Sequence, residues 1–115
     1  SNRMTIMFCA FDGKPLILRL YGHAQVYHPR DTSFEQYMNM FAETAGARQI
    51  MEMTIDLVQT SCGFAVPFME YQEDRGILKE WAIKQGDSGI HEYWERKNQH
   101  SIDGYETNIL NGDTK

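Results

Sequence analysis

The chain is short of cysteine, of basic charge and of long apolar runs, and each shortage removes a class of function. Two cysteines, Cys9 and Cys62, are too few for a disulfide framework and point to a reducing, cytoplasmic setting. A formal net charge of −5, spread along the chain, gives no electrostatic reason to bind nucleic acid or an anionic membrane. No apolar stretch reaches the roughly 18 to 20 residues of a spanning helix, and no basic segment leading into an apolar one opens the chain. The four histidines, His23, His28, His91 and His100, lack the i, i+4 spacing of a helical zinc pair and any Cys-x-x-Cys partner, so no metal site is expected. No internal repeat, low-complexity tract or linker interrupts the 115 residues, which suits one domain over residues 1–115.

What is present is patterned. Ser1-Asn2-Arg3 runs without a cap or turn into the apolar segment Met4–Phe11, as though the chain began inside a structure. That segment predicts a strand covered on both faces. Asp12-Gly13 suits a two-residue hairpin turn. Leu16, Leu18, Leu20, Ala24 and Val26 then alternate with Ile17, Arg19, Tyr21, His23, Gln25 and Tyr27, the pattern of a long strand with one apolar face. Gly22 in its middle marks a bulge, a barrel bend or the close approach of another backbone.

Thr32-Ser33, followed three residues later by Glu35-Gln36, predicts a capped helix carrying Phe34, Tyr37, Met38 and Phe41 and closed by Gly46. Met51, Met53, Ile55 and Leu57, opposed to Glu52, Thr54 and Asp56, predict a third strand with one wet face. Thr60-Ser61-Cys62-Gly63 breaks that pattern, and Val66–Tyr71 reads as a fourth strand with Pro67 at its start or edge. Two further helices follow, one carrying Ile77, Leu78, Trp81 and Ala82 and stopped by Gly86. The other is capped by Asp87 or Ser88 and carries Ile90, Tyr93, Trp94 and Lys97. The order β-β-α-β-β-α-α favours a mainly β fold, an antiparallel sheet with peripheral helices.

Four stretches resemble, in order, one group of the pyridoxamine 5'-phosphate oxidase-like split-barrel proteins. They are Arg3–Phe11, Ile17-Leu18-Arg19-Leu20-Tyr21-Gly22, Gln59-Thr60-Ser61-Cys62-Gly63-Phe64-Ala65-Val66-Pro67, and Lys97-Asn98 with Ser101-Ile102-Asp103-Gly104. The Ser-Cys-Gly-aromatic-Ala-Val-Pro stretch is the most specific of them. The resemblance implies a six-stranded FMN-binding split β-barrel, a homodimer, FMN between the subunits and a flavin-dependent oxidoreductase acting on a small molecule. The Ser-Pro-Lys and Gly-Ser-Gly-Asn-Glu-Thr segments that resemble the family's flavin-phosphate clamp do not occur here. The chain therefore matches a C-terminal portion, incomplete at its N-terminus, expected to bind FMN less well than the whole-length protein.

Five residues are candidates for holding the flavin nucleotide: Arg19, Ser61, Cys62, Gly63 and Asn98. Arg19 either meets a flavin or phosphate beside Tyr21 and His23, or pairs with a carboxylate on a neighbouring strand. Ser61-Cys62-Gly63 is either a tight bend or a place where a ring or anion comes close to backbone amides. Cys62 as a nucleophile is the weaker reading, with no histidine beside it in sequence. Asn98, like Ser101 and Asp103, is a candidate through the resemblance alone. Trp81 and Trp94 suit packing better than cofactor stacking. No residue stands out as an acid or base. Two other functions fit the same pattern, a non-enzymatic flavin- or haem-binding module and a dimerisation domain with an empty cleft.

Overall fold

The computed structural model describes residues 2–110. Five elements follow in the order β1 (Arg3–Cys9), β2 (Ile17–Tyr27), α1 (Thr32–Met38), β3 (Ile50–Ser61) and α2 (Ile77–Lys97). With strands of seven, eleven and twelve residues against helices of seven and twenty-one, the fold is mixed α and β rather than mainly β. The strands form one sheet ordered β1-β2-β3, and that sheet is open rather than closed into a barrel. Contacts divide the chain into two units, Ser1–Val26 with Met51–Asp74 and Tyr27–Ile50 with Arg75–Lys115.

The first unit is the sheet. Strands β1 and β2 pair antiparallel from Arg3↔His23 to Cys9↔Ile17, so Arg3, Thr5 and Met7 share a face with His23, Tyr21 and Arg19. The hairpin is wider than a two-residue turn. Its last bond runs from the Ala10 amide to the Leu16 carbonyl (2.9 Å), Pro15 has no amide to donate, and the Phe11 carbonyl accepts instead from Met69 (3.0 Å). Gly13 does take a left-handed φ of 61°, whereas Asp12 does not share it, as a type I′ turn would require.

Strand β1 is not covered on both faces, since Met7 and Phe8 remain more than half exposed. On β3, Met51, Ile55, Leu57 and Val58 are also exposed, so both of its faces are open rather than one. The expected fourth strand is not formed. Val66–Tyr71 lies outside the sheet, with the Met69 amide bonded to the Phe11 carbonyl, because Pro67 interrupts the row of donors that a ladder needs.

The second unit is helical. The expected helix starts at Thr32 as read, but no side chain caps it, because the Asp31 carboxylate accepts from the His28 amide (2.6 Å). It ends at Met38 rather than at Gly46. Beyond it the Thr44 hydroxyl bonds the Ala42 carbonyl (2.9 Å), a local turn that competes with further helix, and Phe41 is left 61% exposed. Helix α2 breaks at Gly86, whose φ of 67° and ψ of 175° lie in a region that only glycine enters readily, so the two halves expected from the sequence are both present. Ala82 and Ile90, one on each side of the break, are among the few buried apolar residues, and Trp81 meets Tyr93 edge to face at 5.1 Å. Arg30 donates to the carbonyls of Asn108 (2.6 Å) and Ile109 (3.1 Å), which ties the C-terminal segment to the loop before α1.

An alanine at Gly86 would find open space but the wrong backbone region. Gly86→Ala is expected to cost about 1–3 kcal/mol, read as a lower urea midpoint at unchanged slope.

Candidate functional site

The polar face of β2 meets β3 through three side-chain pairs. Arg19 Nη1 donates to the Ser61 hydroxyl (2.9 Å), Tyr21 donates to Gln59 Oε1 (3.0 Å), and His23 Nδ1 lies 2.7 Å from Asp56 Oδ2. From the first pair to the second both strands advance by two residues. From the second to the third β2 advances by two but β3 by three, with Leu57 and Val58 between Asp56 and Gln59. Ser61, Gln59 and Asp56 all meet the polar face of β2 although their numbers change parity.

Gly22 lies beside this irregularity. A Cβ built on it would fall 1.9 Å from the Thr54 carbonyl oxygen and 3.2 Å from the Ile55 Cα, so the backbone of β3 occupies the space of a side chain. Of the three readings open for the mid-strand glycine, this is the close approach of another backbone. Around it opens a cleft of about 560 Å³ whose lining includes Arg3, Thr5, Tyr21, His23, Asp56 and Gln59. Arg19 and Ser61 stand one pair further along the same face.

Four of the five candidate residues come together in this unit. Arg19 takes a hydroxyl as its partner rather than a carboxylate, and one bond leaves its guanidinium further donors. Gly63, two residues after Ser61, is buried with a φ of 66°, and a Cβ there would lie 2.8 Å from the Leu16 nitrogen and carbonyl carbon. The bend is therefore both left-handed and pressed against the start of β2, and its carbonyl accepts from Val66 (2.9 Å). Cys62 between them is an exposed free thiol.

Asn98 belongs to the second unit, where it caps the end of α2 with its amide on the Trp94 carbonyl (2.8 Å). Its side-chain oxygen is buried and has no hydrogen-bond partner. It lines a second cavity, of about 350 Å³, with Gly46, Trp81, Ile90 and Trp94.

The sequence reading passed over Asp56, Gln59 and the pairing of His23. Period-two counting places Asp56 with Glu52 and Thr54 but offers no sign that it meets His23 on the face that Ser61 also meets. Among the described residues no group of three or more His, Cys, Asp or Glu side chains is gathered as a metal would need, and no helix is long and apolar enough to cross a membrane.

Among curated proteins, the chain is similar to the pyridoxamine 5'-phosphate oxidase family protein ustO of Aspergillus flavus, with 31% identity over 90% of this chain. It covers 48% of that protein, so the chain spans about half the length of the relative it matches. No family model matches the chain, and no solved structure matches it. The similarity to ustO agrees with the resemblance read from the strand and bend motifs, and extends over most of the same residues.

Proposed function

We propose that this chain supplies part of a pyridoxamine 5'-phosphate oxidase-like split barrel, and that the whole-length protein binds FMN and carries out a flavin-dependent redox step on a small molecule. The observation that carries this reading is the meeting of Arg19, Ser61 and Gly63 on one strand junction, in a chain 31% identical to a protein bearing that family name. The residues present suit such a ligand. Arg19 can donate to an anionic or carbonyl oxygen, the Ser61 hydroxyl holds the guanidinium in place, and the small residues after it let a flat ring approach the backbone. When bound, FMN would supply hydride transfer, while the protein would contribute position and electrostatics.

The reading is tested by colour. A whole-length preparation that is yellow, bleaches with a reductant and recovers in air is expected. A Soret band would replace it with haem binding, and a colourless protein that releases nothing on heating would leave a dimerisation domain.

The same proposal includes a homodimer. The outer strands β1 and β3 leave unpaired edges, and Met7, Phe8, Met51, Ile55 and Leu57 expose apolar surface beside them. A second copy would cover both. Sedimentation at micromolar concentration is expected to give a dimer, and a well-behaved monomer contradicts it.

A further inference from the structure

The cleft of the first unit contains a pair of side chains arranged for proton transfer. A carboxylate oxygen accepts, so the short contact between Asp56 Oδ2 and His23 Nδ1 (2.7 Å) calls for a proton on Nδ1, and in the neutral ring the lone pair then lies on Nε2. Nε2 has no partner among the described residues. His23 and Asp56 both line the cleft and are each about half exposed, 52% and 53%, so the free nitrogen is within reach of a small molecule. The same lining provides a ring, Tyr21, held by Gln59, and a cation, Arg3, which stands opposite His23 on β1. A base oriented by a carboxylate, beside a ring surface and a positive charge, suits a ligand that is planar and becomes anionic on losing a proton.

We propose that His23 and Asp56 form a proton-accepting dyad serving a small planar molecule in this cleft, one with an acidic N–H, O–H or activated C–H bond. The proton moves to His23 Nε2, and the electron pair of the broken bond stays on the ligand. Asp56 fixes the ring and balances the imidazolium, which then returns the proton to water. No oxidant or reductant enters the step. The dyad rests on the cleft as a binding place and not on the flavin, so a colourless whole-length protein would defeat the flavin reading and leave this one standing. An exposed cross-strand ion pair with no further role would contribute little and would not fix reactivity.

The test uses 5-nitrobenzisoxazole as the probe. A base removes its ring C–H proton, the N–O bond breaks, the freed electron pair forms a nitrile, and a coloured nitrophenolate is released. The 115-residue chain is expected to accelerate this elimination saturably, at least tenfold beyond an equal concentration of free imidazole. His23→Gln should remove that excess and Asp56→Asn should lower it several-fold, while His91→Gln, on α2, should leave it unchanged. Long-range proton–nitrogen NMR of the parent should show His23 as the Nδ1–H tautomer, and Asp56→Asn should give a mixture. Retention of the rate in His23→Gln overturns the proposal, as does failure to exceed free imidazole. An Nε2–H tautomer in the parent overturns it as well, and that measurement needs no variant to fold.

Discussion

Gly22→Ala is expected to destabilise the sheet by about 3 kcal/mol or more, among the largest effects of any single methyl in this chain. The physical cause is steric and local. The added carbon would lie 1.9 Å from the Thr54 carbonyl oxygen and 2.9 Å from its carbon, and neither is the end of a flexible side chain that can turn away. The backbone of β3 must move, and with it the register that sets His23 against Asp56 and Tyr21 against Gln59. Gly13→Ala is the control, because Gly13 has a positive φ but nothing within 4 Å of a Cβ, so it should cost only about 1 kcal/mol. Urea unfolding of the two variants checks the contrast. Equal midpoints would mean that β3 does not press on Gly22 in solution.

The second large effect is expected at the bend after β3. In whole-length protein, Gly63→Val should weaken FMN binding at least tenfold, while Cys62→Ser should leave binding and turnover within a few-fold. Gly63 combines a φ of 66° with backbone atoms of Leu16 at 2.8 Å from any Cβ, so a β-branched side chain strains the bend twice over. Cys62 is exposed, and serine conserves its size. Comparison of FMN-free melting midpoints separates lost binding from lost folding. A folded Gly63→Val variant with normal affinity would make the bend purely structural. Loss of turnover in Cys62→Ser with FMN still bound would make the thiol chemical.

The sequence was most informative where a residue type has few backbone meanings. Gly22 offered a bulge, a barrel bend or a close approach, of which the close approach is observed, and the break at Gly86 and the helix start at Thr32 are observed too. Side-chain alternation located β2 and β3, and a continuous apolar run located β1. Apolar content suggested a strand at Val66–Tyr71 as well, but none forms there, where Pro67 has no amide to donate. Periodicity failed also at the end of α1, where the spacing of Phe41 continued the helical stripe while the Thr44 turn ended it. The candidate site was half legible. Arg19, Ser61 and Gly63, singled out through motif resemblance, lie together at one strand junction, but the pairing of His23 with Asp56 departs by one residue from the even spacing of the pairs before it, which no period-two pattern records.

Equilibrium binding of FMN to the whole-length protein and its Arg19→Met variant, followed by quenching of flavin fluorescence, tests the central claim most directly. A charge-assisted contact of about 1.5–3 kcal/mol predicts that the parent quenches saturably and that the variant binds roughly ten- to a hundredfold more weakly. Flavin fluorescence unchanged by the parent, or equal affinity in the two proteins, would contradict it.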